Sequence, residues 1–262
     1  MYHEIPFPVF QMKPPNSWDP FEHQDEQPSQ QCLQRVRKDI VDFVAHPPPR
    51  IFISPVESDM TGIDVLILGT PDSPYEGGAF QFYLKCPPDY PLSPPRVRFL
   101  NTDEGRVRFH AHLCATGKVC VRTLGTLRGP GWNPTQSLRG TLASIQWLLG
   151  AHPLYAFRLQ ATRREVASYD IFVQYETIRV AVCDQVDAAL REDARCYRKY
   201  ENTVRARLHQ NGWKLWDPVG CKYTTAQYET LLTRLQELRD KVQEQKKAEV
   251  VATACVAPAA EV

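Results

Sequence analysis

Apolar residues Leu33, Val36, Ile40, Phe43 and Val44 fall three or four apart, with Arg35, Arg37 and Lys38 between them. That period predicts an amphipathic first helix with a basic outer face. Pro47-Pro48-Pro49 stops it, because proline lacks the backbone donor and clashes with the preceding turn. Four short apolar segments follow, at 51–53, 63–68, 80–84 and 97–100. They are separated by Asp72-Ser73-Pro74, by Gly77-Gly78 and by a proline cluster, and they predict a meander of antiparallel strands. Beyond Leu100 the period fades into a long stretch punctuated by Gly and Pro. Irregular segments of such length inside a folded domain usually serve function. Helical spacing returns at Leu138, Leu142, Ile145, Leu148 and Leu149, and at Ile171, Tyr175, Ile178, Val182 and Val186. Two more amphipathic stripes lie on Tyr197, Tyr200, Val204 and Leu208, and on Tyr228, Leu231, Leu235, Leu238 and Val242.

The pattern predicts an α+β fold with four parts. Residues 1–30, rich in Pro, Gln and acid, are expected to form a flexible arm. Residues 31–190 form the core domain, 191–247 a helical extension, and 248–262, Ala/Val-rich without period, a disordered tail.

Charge removes some functions from consideration. Lys plus Arg number 31 against 30 Asp plus Glu, so nothing draws the whole molecule to nucleic acid or an anionic membrane. No run approaches the roughly 20 apolar residues of a membrane span, and the start lacks a leader pattern. Eight cysteines are scattered without the density of a disulfide scaffold. Reduced thiols in the cytoplasm are expected, with the nucleus open as a second location.

The chemistry is concentrated in the irregular stretch and its borders. Tyr90-Pro91-Leu92-Ser93-Pro94-Pro95 leads into a strand, then come Phe109-His110-Ala111-His112-Leu113, Gly117-Lys118-Val119-Cys120 and Trp132-Asn133-Pro134. In this order and spacing the chain resembles the ubiquitin-conjugating enzymes, over about residues 31–190. The resemblance implies the ubiquitin-conjugating fold: an N-terminal helix, a four-stranded meander, an active-site loop and C-terminal helices, here with a helical extension. It also implies that Cys120 accepts ubiquitin or a ubiquitin-like protein from an activating enzyme as a thioester. The modifier then passes to a substrate lysine or a ligase cysteine. ATP is spent upstream, so no cofactor is expected.

A thiol suits that work, being nucleophilic near neutral pH and also a good leaving group. The bland alternative for Cys120 is a buried, inert thiol, the fate expected of Cys86 and Cys183.

Two departures from the family pattern stand out. The family's His-Pro-Asn segment is His110-Ala111-His112 here, with His110 at a structural position and His112 in the slot of the asparagine credited with the oxyanion loop. A neutral imidazole can still donate one N–H to a developing oxyanion, and the alternative is that His112 merely packs. Residues 150–164 hold no Asp or Glu to help an attacking lysine, which predicts a preference for ligases that carry their own cysteine. These departures also motivate a rival from another class, a catalytically impaired interaction module. His110, His112, Cys114 and Cys120 offer zinc-type donors, but their spacing is not that of a paired structural site and no metal is expected. The resemblance places the activating enzyme on Arg35, Arg37 and Lys38 and ligases on Leu92, Asn133, Pro134 and Thr135. A solvated helix face and ordinary loop packing are the respective alternatives.

Overall fold

The structure, a computed structural model, describes residues 18–155, 158–183 and 194–256. The first helix, α1 (Gln30–Ala45), begins where the Ser29 hydroxyl accepts the Cys32 N–H, and that hydroxyl also donates to the Pro88 carbonyl at 2.7 Å. Its inward face carries Cys32, Val36, Asp39 and Phe43.

Strands β1 (Ile51–Val56), β2 (Asp59–Leu68), β3 (Ala79–Lys85) and β4 (Arg96–Phe99) form one antiparallel sheet in sequence order. Register brings apolar residues opposite one another: Ile63 faces Leu84, Val65 faces Phe82, Ile67 faces Phe80, and Phe82 and Leu84 face Phe99 and Val97. All are buried on one side of the sheet, as a period of two demands.

Helix α2 (Leu138–Gln146) buries Leu138, Leu142 and Ile145, and α3 (Arg163–Glu176) buries Val166, Tyr169, Phe172 and Val173. A capping box between Thr162 and Glu165 starts α3, satisfying helix donors that would otherwise be orphaned. The helix runs into a wider turn over Thr177–Val182.

The C-terminal third differs from the helical expectation. Between α4 (Ala194–Ala206) and α5 (Tyr228–Val256) lies a hairpin of β5 (Lys214–Asp217) and β6 (Lys222–Thr225). Asp217 accepts the N–H groups of Val219 and Gly220 in its turn, the chemistry of an Asx turn. Tyr200, Val204, Leu215, Tyr228, Leu231, Leu235, Leu238 and Val242 join one continuous apolar core with the sheet and α3. Glycine is required at one of these junctions. Gly77 has φ +75°, and a side chain there would collide with the Tyr200 ring.

Two further expectations need correction. Residues 18–29 are tied to the sheet. Asp19 pairs with Arg98, Glu26 with Arg96 at 2.6 Å, and the Phe21 ring lies 5.3 Å from that of Tyr83. Aromatic and charged groups that read as a polar arm find complementary partners on β3 and β4. The rest of the arm, residues 1–17, lies outside the described residues. The tail expected from residue 248 continues α5 to Val256. Residues 257–262 and 184–193 lie outside the described residues.

Candidate functional site

After β4 the chain enters the stretch 101–134, and a small hairpin within it positions Cys120. The Phe99 N–H donates to the Gly117 carbonyl and the Cys114 N–H to the Lys118 carbonyl. The Cys120 N–H donates to the His112 carbonyl at 2.8 Å, and Leu113 pairs with Val119. Gly117 turns the hairpin with φ +90°, and a Cβ there would sit 2.8 Å from the Phe99 oxygen. This is the physical content of Gly117-Lys118-Val119-Cys120: a tight turn, then alternation. Leu113, Val119 and Val121 point into the core, whereas His112, Cys114, Lys118 and Cys120 stand on the other, half-exposed face.

Five side-chain hydrogen bonds brace this hairpin. Tyr75 Oη donates to the Phe109 carbonyl at 2.6 Å, and Tyr169 Oη reaches the same oxygen at 3.3 Å. Thr126 Oγ1 accepts the Val121 N–H at 3.0 Å and donates to the Val119 carbonyl at 2.6 Å, clamping both neighbours of Cys120. His110, buried, accepts the His112 N–H on Nδ1 at 3.0 Å.

Cys120 opens onto a groove of about 1030 Å³. One wall is Val121–Thr123 and Leu127, and the other comprises Ala143, Ser144 and Trp147 of the α2 end with Gly150, Ala151, His152, Pro153 and Tyr155 beyond it. Thr123 Oγ1 and Ser144 Oγ, 2.7 Å apart, tie the walls together. Trp147 and Leu159 on its rim are 78% and 88% exposed, an apolar edge suited to an extended peptide. His112 lines the same groove. Burial, with Arg108 nearby, lowers its pKa, so its ring is neutral at pH 7.

The sequence profile of the family described as "Ubiquitin-conjugating enzyme" matches residues 35–173, more than half of the chain. Ubiquitin-conjugating enzyme E2 Z of Xenopus tropicalis is 39% identical over 251 residues, covering 89% of this chain and 80% of that protein. The Danio rerio protein of the same name is 38% identical over 245 residues (87% and 75%), and that of Homo sapiens 39% over 244 (87% and 69%). This chain belongs to the ubiquitin-conjugating enzyme family. As a member it is an acyltransferase working through a thioester intermediate, with ubiquitin, activating enzymes and ligases as its general partners.

In this ubiquitin-conjugating enzyme the residues expected to meet partners separate into two groups. Leu92, 66% exposed, and Asn133, Pro134 and Thr135 stand on adjoining loops joined by the Trp132 indole, which donates to the Pro91 carbonyl at 2.7 Å. Arg37 and Lys38 are exposed on α1. Arg35 is turned inward, contrary to a role on the outer face. Its guanidinium meets Asp39 at 3.0 Å and the carbonyls of Pro134 at 2.9 Å and Gln136 at 2.5 Å, and lies over the Tyr90 ring. Asp39, buried, also accepts the Tyr90 hydroxyl. Arg35→Ala is therefore expected to cost about 2 kcal/mol in thermal or urea unfolding, because a buried carboxylate loses its cation. Arg37→Ala and Lys38→Ala should stay within about 0.5 kcal/mol of the parent.

No carboxylate of 150–164 was available to the sequence, yet one approaches from α3: Asp170 Oδ2 lies 3.9 Å from His152 Nδ1. Burial raises the Asp170 pKa. Among the described residues no three His, Cys, Asp or Glu side chains converge to hold a metal, so the four donors from His110 to Cys120 do not form a cage. No described helix is long and apolar enough to cross a membrane.

Proposed function

We infer that Cys120 is the residue that carries the modifier, its sulfur bonded to the C-terminal glycine of ubiquitin or a ubiquitin-like protein. The observation that carries this reading is the placement of Cys120 on the outward face of the 112–120 hairpin, opening onto the groove between 121–127 and the end of α2. An extended protein tail needs such access, and a helix interior would deny it. His112 supplies a neutral N–H beside the carrier sulfur where charge develops on the acyl oxygen, a contact type worth about 2.7–4 kcal/mol elsewhere.

Arg37 and Lys38 meet the activating enzyme, where exposed charge favours fast, reversible encounter. Leu92 with Asn133, Pro134 and Thr135 grips ligases. Likeness to the E2 Z proteins over both core and extension supports a Z-type role for the chain. It needs no cofactor of its own, since ATP is consumed by the activating enzyme, and works in the reducing cytoplasm or nucleus.

The test is one gel. Incubation with activating enzyme, ATP and ubiquitin should give a band about one ubiquitin heavier that a thiol reductant removes. Cys120→Ala should form none, and a reductant-sensitive band in that variant would refute the assignment.

A further inference from the structure

The Cys114 thiol has no task in the reaction as described, yet its sulfur lies 3.9 Å from that of Cys120. Both side chains stand on the outward face of the hairpin, diagonal to one another across the Leu113–Val119 pair, so backbone register brings them together. At this separation one thiol donates its S–H to the other.

We propose that Cys114 is a further catalytic residue, the proton acceptor that activates Cys120 when the modifier is loaded. The proposal rests on Cys120 being the carrier sulfur. As the activating enzyme presents its thioester, the Cys120 sulfur bonds to the acyl carbon while its proton passes to the Cys114 thiolate. The bond from that carbon to the activating enzyme's cysteine breaks, and the departing sulfur takes the electron pair. Cys114, now a neutral thiol, returns its proton to water. No electrons are gained or lost overall, and no co-reactant is required.

The surroundings suit a base of this kind. Arg108 Nη2 donates to the Ala111 carbonyl at 2.6 Å, which holds its positive charge beside the hairpin, and Lys118 stands opposite Cys114 in the register. The other titratable neighbours, His110 and His112, are kept neutral by burial and add no competing charge near pH 7. The contact between the two sulfurs draws the Cys114 thiol below the ordinary thiol value against its burial, with Arg108 and Lys118 adding to the effect. The same contact, with burial, pushes Cys120 up. The pair thus shares one proton near neutral pH, and its two ionisations belong to both sulfurs together. A nucleophile within hydrogen-bond reach of a base, itself oriented by a third group, is the arrangement by which enzymes activate weakly acidic nucleophiles.

Two measurements on the full chain test this. The first is the pH dependence of the first alkylation of the 114/120 pair by iodoacetamide, assigned by peptide mapping. The parent should show a midpoint well below that of an ordinary thiol. Cys114→Ser, which keeps size and a polar group but cannot ionise near neutrality, should leave Cys120 with a midpoint near the ordinary thiol value of about 8.5. Cys120→Ala should raise the midpoint of Cys114 in the same direction. The second measurement is single-turnover loading. Cys114→Ser should load about tenfold more slowly than the parent at pH 7 and approach it near pH 9. Cys114→Ala should do the same, which covers the case in which the serine variant folds poorly. Unchanged midpoints and superimposed loading profiles, with the thioester band still formed, would overturn the thiol pair and leave Cys120 as carrier. Failure of the parent to form the band at all would overturn the carrier assignment itself.

Discussion

Cys120→Ser is expected to give, at most, a slowly formed adduct that survives thiol reductant and yields to alkali. Transfer from it to an acceptor should fall on the order of 10³-fold or more, equivalent to about 4 kcal/mol on the barrier. The cause is the leaving group. A thiol with a pKa near 8.5 departs readily as its anion, whereas a serine alkoxide is far more basic and holds the acyl carbon in a less reactive ester. The backbone should tolerate the change. The Cys120 N–H still reaches the His112 carbonyl, and Thr126 still clamps Val119 and Val121. A pulse of labelled ubiquitin followed by an amine or cysteine chase separates the outcomes, with alkali and reductant identifying the bond. Transfer at the parental rate from the serine variant would mean that the acyl group resides on some other atom.

The sheet that supports Cys120 was largely readable in the chain, whereas the alternation that exposes Cys120 was not, because its stretch reads as irregular until the 112–120 hairpin closes. Ile63, Val65, Ile67, Phe80, Phe82 and Leu84 repeat every second residue, and register turns that repeat into one buried face. What resisted reading depends on contacts between distant segments. Arg35 lies within an outwardly basic helix, and nothing local tells that its guanidinium reaches carbonyls about a hundred positions later. One signal was available: Asp39 falls on the apolar stripe with Cys32, Val36 and Phe43, and a carboxylate at a core position calls for a cation. The Cys114–Cys120 contact could not be inferred from spacing alone, since it depends on the turn at Gly117 and a diagonal register. The β5–β6 hairpin escaped because four-residue strands leave too short a period, although Asp217-Pro218-Val219-Gly220 carried turn chemistry. Thr126 lies in the irregular stretch with no local signal of its role. Its clamp on the peptides flanking Cys120 emerges once 119–126 closes on itself.

Acid should weaken this protein earlier than its carboxylates would predict, through His110. The ring is 1% exposed, and burial, aided by the charges of His112 and Arg108, lowers its pKa from 6.5 to about 3. The folded state therefore holds the ring neutral while the unfolded chain takes up a proton below about pH 6.5, so unfolding gains as pH falls through that value. Stability is fully present above the unfolded pKa and is lost progressively toward the folded one. Between pH 7 and pH 5 the loss from this residue alone is about 2 kcal/mol. The half-buried His112, lowered in the same direction, adds to it. Ion-paired carboxylates contribute mainly at lower pH, as with Glu26, which Arg96 holds low despite partial burial. His110→Asn removes the titration yet keeps an acceptor for the His112 N–H, because the Asn Oδ1 can take the place of Nδ1. Urea midpoints at pH 7 and pH 5 should thus converge in the variant by about the same 2 kcal/mol. Equal losses in parent and variant would mean that His110 titrates normally in the fold. The consequence for catalysis is direct, since the segment that His110 anchors is the one whose next carbonyl but one receives the Cys120 N–H. Protonating a buried imidazole there would loosen the hairpin that presents the Cys120 sulfur, so, if Cys120 is the carrier, loading and stability should decline together in acid.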